Sequence, residues 1–226
     1  MTDSNSKGSK QFQKETPQNI RYGHFQWGPY VMITKLKDSI VVRMLEEGKK
    51  LQEKHNYNHR LAGQIKEQYQ FEEHQAMWFY NEITPIIQAY RYGHCEYHGL
   101  EHKEVNIHPT DLWINYMKPG EFNPYHVHGG DYSFVFFLDV PKEIGDENKN
   151  FKGTHSGPGS LTLMYGQSAS PAWNTVEKVL HPRTGDFYMF PALLYHQVSP
   201  FQSDVTRISI SGNLNIDKTN MDKSYF

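Results

Sequence analysis

Apolar positions fall into two different rhythms on either side of Thr110. Upstream they recur at helical spacing. Ile40, Val41, Met44, Leu45 and Leu51 form one stripe behind Asp38-Ser39, and predict a helix capped there and running to about His55. Met77, Trp78, Tyr80, Ile83, Ile86 and Ile87 form a second stripe, from Glu72 to about Tyr92, with Pro85 as a kink or a break. Tyr30 to Leu36 reads as a strand ahead of the first helix. Asn56 to Phe71 is polar and reads as a loop whose Leu61-Ala-Gly-Gln-Ile65 segment packs against the core. Gly93 to Pro109 reads as a His-rich connection.

Downstream the rhythm shortens. Brief apolar or alternating runs are separated by Pro, Gly and Asp, which predicts strands at Asp111–Met117, Leu161–Tyr165, Val176–Leu180, Phe187–Phe190, Leu193–Val198 and Thr206–Leu214. A further strand continues the segment His126-Val-His128-Gly-Gly-Asp131 to about Val140. Pro141–Gly159 and Gln167–Asn174 read as loops able to close over a site. Seven or eight short strands after a helical half predict a mainly β, two-sheet or closed structure with helices packed outside it. Residues 1–20 are rich in Ser, Lys, Gln and Thr and read as a disordered tail, with order starting near Phe25-Gln-Trp27. One domain then spans 21–226, helical support over 21–109 and β core over 110–216.

Composition sharpens this. Aromatic residues make up 14% of the chain, fifteen Tyr and thirteen Phe among them, which suits sheets. A net charge of −2 gives no electrostatic footprint for nucleic acid. The single cysteine, Cys95, forbids an internal disulfide and fits a reducing, cytoplasmic compartment. No apolar run reaches membrane-spanning length. A homodimer is compatible with all of this.

The chemistry-bearing residues converge on few positions. Of thirteen histidines, most stand in polar contexts without a partner at ligand spacing. His126 and His128 are two apart, so in a strand they share a face and form half of a metal site. His196 is a polar residue inside the apolar run Phe190-Pro-Ala-Leu-Leu-Tyr-His196, and supplies a third corner. Arg207 and Ser209 share one face of the last strand. An arginine turned into a barrel needs an anionic partner, and a carboxylate held by the guanidinium fork and a hydroxyl is the natural one.

Together the motifs Trp113-Ile-Asn-Tyr116, Asn123-Pro-Tyr-His126-Val-His128, Ser133-Phe-Val-Phe-Phe-Leu138, Gly185-Asp-Phe-Tyr-Met-Phe-Pro191, Tyr195-His196 and Arg207-Ile-Ser209-Ile-Ser-Gly-Asn213 resemble the iron(II)/2-oxoglutarate-dependent oxygenases. The likeness is to the prolyl-hydroxylase-like branch and its phage and bacterial members. It implies a double-stranded β-helix (jelly-roll, cupin-like) core, iron(II) as metal, 2-oxoglutarate and dioxygen as cosubstrates, and hydroxylation of an unknown protein or small molecule in a bacterial or phage-infected cell. It also implies roles: His126 and His196 as metal ligands, Arg207 and Ser209 as the anchor of the far carboxylate, and Tyr116 as a further cosubstrate contact.

The family carries a carboxylate two residues after its first histidine, where this chain has His128. Either His128 binds, giving three neutral ligands, or the Gly129-Gly130 pair re-aims the chain so that Asp131 reaches the metal. A three-histidine face also suits zinc or copper, so a cupin-like module that binds metal or ligand without turnover is the alternative. Trp113 and Asn115 are expected to line the cavity, and Phe134 and Phe136 to wall it on the face of the histidines.

Overall fold

The computed structural model describes residues 28–52, 56–57, 59, 61–154, 156–166 and 176–218, with the backbone of 14–15 and 21–22. The expected tail, the start of order at Phe25-Gln-Trp27 and the Gln167–Asn174 loop lie largely outside these. Two short strands, β1 (Lys14–Glu15) and β2 (Arg21–Tyr22), pair with each other ahead of the main body.

The helical half comprises β3 (Met32–Lys35), α1 (Asp38–Leu51), β4 (Glu67–Gln70) and α2 (Glu73–His98). The N-cap of α1 is Lys37 and makes no side-chain cap bond, so the expected Asp38-Ser39 cap becomes the first turn, where Asp38 complements the helix dipole. Two expectations need correcting. The Asn56–Phe71 stretch contains a strand, because Tyr69 has a hydrophobic face to cover while Gln68 turns the other way. And α2 continues unbroken past Pro85 to His98. Pro85 lies on the exposed face, where water can serve the carbonyl it frees, and Thr84 Oγ1 caps the Tyr80 carbonyl at 2.9 Å. The capping box between Glu72 and Gln75 fixes the start of α2, and Gly99 in the left-handed region ends it.

The β half contains β5 (Ile107–Met117), β6 (Asn123–His126), β7 (Tyr132–Asp139), α3 (Lys142–Asn150), β8 (Leu161–Met164), β9 (Glu177–Leu180), β10 (Asp186–Pro191), β11 (Tyr195–Val198) and β12 (Arg207–Ile216). The strands make two antiparallel sheets, ordered β3-β10-β7-β12-β5-β4 and β6-β11-β8-β9. The eight strands β5 to β12 pass between the sheets in the order of a double-stranded β-helix, β8 and β9 forming a hairpin within the smaller one, as expected. β3 and β4, from the helical half, extend the larger sheet at both edges. α3 is a helix within the expected Pro141–Gly159 loop. Its Ile144 is 3% exposed and its Glu147 accepts bonds from Gln202 and Ser203, so it is a fixed buttress.

Alternation divides each strand of the larger sheet between two cores. On the outer face, Ile114, Tyr116, Phe134, Phe136, Ile210 and Leu214 meet Met44, Phe79 and Ile83 of the helices. On the inner face, Met117, Phe137 and Tyr188 meet Leu161, Leu163 and Val198 of the smaller sheet. Phe79 stacks on Phe136 with centroids 5.9 Å apart, and each such fully buried ring contributes about 1.5–3 kcal/mol. The inner face also carries polar residues, and they define the site.

Candidate active site

The expected strand from His126 to about Val140 is not one strand. β6 ends at His126 in the smaller sheet and β7 begins at Tyr132 in the larger one. The five residues between them carry the chain from one sheet to the other. Three backbone bonds pin this crossing: the His128 amide donates to the Ala192 carbonyl at 2.9 Å, the Asp131 amide to the Leu214 carbonyl at 2.9 Å, and the Ala192 amide to the Asp131 carbonyl at 3.0 Å. Gly130 has φ +95°, and a Cβ there lies 3.0 Å from the Leu214 carbonyl oxygen, so only glycine fits without strain.

This crossing brings the three histidines together. His126 of β6 is directly opposite His196 of β11, with ring centroids 4.3 Å apart. His128 approaches from the crossing, 5.0 Å from His126 and 4.9 Å from His196. One ring nitrogen from each lies within 4.8 Å of the other two. Among the described residues this is the one cluster of three such groups. His126 Nδ1 donates to the Pro124 carbonyl at 2.7 Å and His196 Nδ1 to the Leu194 carbonyl at 2.8 Å. Carbonyls only accept, so both Nδ1 atoms carry the proton and both Nε2 atoms present lone pairs inward. His128 Nε2 lies 3.1 Å from His196 Nε2, a spacing that suits two ligands each about 2.1 Å from one metal ion. Burial lowers all three pKa values: His126 falls below its usual value, His128 drops to about 3 and His196 to about 4, the last two lowered further by neighbouring histidines. All three are therefore neutral at pH 7, the form that binds metal.

Asp131 is not among them. Its Oδ2 accepts from the Ile216 amide at 2.8 Å and its Oδ1 pairs with Lys218 at 2.6 Å. The carboxylate is committed to the end of β12, on the far side of the crossing.

Arg207 lies deeper in the same cavity and is 2% exposed. Its Nη1 donates to the Gly159 carbonyl at 2.8 Å, Nη2 lies 3.0 Å from Met117 Sδ, and Phe137 faces the guanidinium at 5.3 Å. Nε has no partner, and no described carboxylate pairs with this charge. Burial lowers its pKa to about 10, which leaves it a full cation at neutral pH. A buried cation with an unused N–H is a site waiting for an anion. Ser209 faces the same cavity, and Asn115 Nδ2 reaches its Oγ at 3.4 Å.

Tyr116 is corrected. It alternates with Asn115 and so turns to the outer face, against Tyr69 and α1, where burial raises its pKa to about 12. Phe136 is corrected likewise, and the Phe134 ring, though it touches the cavity edge, packs against Phe79 and Phe187. Val135 and Phe137 line the inner wall instead. Trp113 and Asn115 do line the cavity, Trp113 with its ring 5.5 Å from His128. Leu61, Ala62 and Gly63 close one side, as the packing loop predicted. Gln68 and Asn123 also line it. Asn123 opens the motif that carries His126 and His128 but has no expected role, and Gln68 is one polar residue on a short strand in a polar context.

Residues 111–213 match a family described as "Putative 2OG-Fe(II) oxygenase". That segment runs from β5 to β12 and holds the three histidines, Arg207 and Ser209. The match spans the β-helical core and makes that core similar to the 2-oxoglutarate/iron(II) oxygenases. No curated protein matches the chain. The fold is shared with the viral collagen prolyl hydroxylase of Paramecium bursaria Chlorella virus 1 in complex with 2-oxoglutarate, at 14% identity and a TM-score of 0.50, over 83% of this chain and 96% of that one. A Pseudomonas putida prolyl-4-hydroxylase is similar at 15% identity and a TM-score of 0.51, over 82% of this chain and 91% of that one. HygX of Streptomyces hygroscopicus, solved with nickel, 2-oxoglutarate and hygromycin B, is similar at 9% identity and a TM-score of 0.51, over 82% of each chain. At these identities the likeness is one of fold.

Proposed function

We propose that the chain hydroxylates a protein or small-molecule substrate at an iron(II) ion held by His126, His128 and His196, with 2-oxoglutarate anchored by Arg207 and Ser209. The observation that carries this reading is one cavity with a donor set at one end and an uncompensated buried cation at the other. The donor set fits iron: three neutral imidazoles, two of them fixed in tautomer by backbone carbonyls. When bound, the metal supplies oxidation by dioxygen coupled to decarboxylation of 2-oxoglutarate. The chain's own residues do the rest. Arg207 neutralises the far carboxylate through Nε. Trp113 and Phe190 crowd the histidines and hold their rings. Phe137, Val135 and the Leu61–Gly63 segment keep water out.

The test is thermal unfolding with Mn(II) in place of iron. Metal and 2-oxoglutarate together raise the melting temperature more than metal alone. His196→Ala abolishes both shifts. Arg207→Ala abolishes only the second, weakening 2-oxoglutarate binding by roughly a hundredfold, the scale of a lost charge-assisted pair. A second reading, a metal-binding barrel without turnover, is favoured by His128 standing where the family has a carboxylate. It wins if metal binds and neither 2-oxoglutarate affinity nor succinate formation is found. Action in the cytoplasm of a bacterial or phage-infected cell is part of this reading, and the single buried cysteine fits its reducing conditions.

A further inference from the structure

A hydrogen-bonded row of side chains crosses the cavity wall from β12 to β4. Asn115 of β5 pairs with Ser209 on one side and with Gln68 on the other. Its Nδ2 lies 3.4 Å from the Ser209 main-chain carbonyl. A carbonyl cannot donate, so the Asn115 amide is fixed with its NH2 toward β12 and its Oδ1 toward β4. Gln68 Nε2 then donates to that Oδ1 at 2.6 Å. The direction of the row is imposed from β12, and its free end is Gln68 Oε1. This oxygen is buried without a partner, on a residue 1% exposed. Turning the Gln68 amide over would set two acceptors against each other, so the amide is fixed with Oε1 at the free end. Such an oxygen calls for a donor.

Its place along the cavity follows from strand register. The Trp113–Ser211 rung lies beside His128, and the Met117–Arg207 rung lies at the other end. The Asn115–Ser209 rung falls between them, with Gln68 next to it. A chelating diacid that reaches from the histidines to Arg207 passes Gln68 with its middle. In 2-oxoglutarate that middle is two methylene groups, which donate nothing.

We propose that Gln68 is a specificity-determining residue of this channel, selecting 2-oxo diacids that carry an N–H or O–H next to the keto group over 2-oxoglutarate itself. This rests on the reading of the cavity as a 2-oxoglutarate site. Gln68 lies outside the segment matched by the family, so the selection belongs to the N-terminal half of this chain.

Calorimetry on the full Mn(II)-loaded chain tests it with two probes, 2-oxoglutarate and N-oxalylglycine, the same diacid with N–H in place of the methylene beside the keto group. The wild type prefers N-oxalylglycine, and Gln68→Met reduces the ratio of the two affinities roughly tenfold. Gln68→Glu keeps an oxygen at that point; it weakens both dianions and retains the preference. An equal ratio in wild type and Gln68→Met overturns the assignment, as does loss of the preference in both variants, which traces to disturbed packing. If neither compound binds the metal-loaded wild type, the proposed function fails and this assignment with it. If both bind with an unchanged ratio, only the assignment fails.

Discussion

At the scale of single residues, the site is decided by which side chains already have partners. Asp131 is three residues from His128 and carries the charge that the family's metal face requires, yet the Ile216 amide and Lys218 hold it. Asp131→Asn therefore leaves Mn(II) affinity unchanged in calorimetry and costs about 1 kcal/mol in denaturant unfolding, from the weakened tie to β12. A loss of metal affinity of tenfold or more would return Asp131 to the metal face. His94 shows the same logic away from the site. It sits on α2 against Tyr90 and 4.6 Å from the His98 ring, and burial lowers its pKa to about 4. In the unfolded chain it titrates near 6.5, so below that pH the unfolded state takes up a proton that the native state refuses. Stability from this residue is whole above about pH 6.5 and is lost as pH falls toward 4. His94→Phe accordingly loses less stability than wild type between neutral pH and pH 4.5, measured by urea unfolding at each pH.

At the scale of elements, close approach overrides local preference. A glycine inside a helix ordinarily costs up to about 1 kcal/mol against alanine, so Gly→Ala on an open helix stabilises. Gly48 of α1 is the opposite case. A Cβ there lies 2.3 Å from Ile114 Cδ1 and 2.9 Å from the Tyr116 hydroxyl, so α1 rides on β5 through this glycine. Gly48→Ala is expected to destabilise by about 1–3 kcal/mol, the cost of overpacking, and a higher midpoint in urea would contradict it. The same contact explains Tyr116. Its position in Trp113-Ile-Asn-Tyr116 is legible in the sequence, but which face of β5 meets the helices is set by α1 and α2, and that sends Tyr116 outward and Asn115 inward. The His126–Val140 run failed as one strand for a related reason. The apolar run marks β7 alone, while the change of sheet at residues 127–131 is made by long-range backbone bonds to Ala192 and Leu214 that leave no local pattern.

At the scale of the whole molecule, the helical half covers the outer face of the larger sheet, extends its edges and closes one side of the cavity. The cavity as it stands is about 40 Å³, room for a water molecule and too small for a five-carbon diacid. Entry of 2-oxoglutarate thus requires the wall to give, and the Leu61–Gly63 segment is the part of that wall outside regular structure, tied by the Gln64 amide to the Phe122 carbonyl. Amide exchange over 61–66 is expected to change on addition of Mn(II) and 2-oxoglutarate while α1 and α2 stay protected; an unchanged profile there places the moving wall elsewhere. The sequence by itself determined the mainly β core and most of its strand positions, and marked the three histidines and Arg207 as candidates, because alternation, turn residues and isolated polar groups in apolar runs are local signals. Tertiary structure alone decided that His128 rather than Asp131 joins His126 and His196, that Tyr116 leaves the site and that Gln68 enters it. Each of those outcomes depends on a partner far away in the chain: the Ile216 amide, the α1 surface and the Ser209 carbonyl. His126-Val-His128 was visible as half of a metal site from its spacing, and the crossing between the two sheets made it whole.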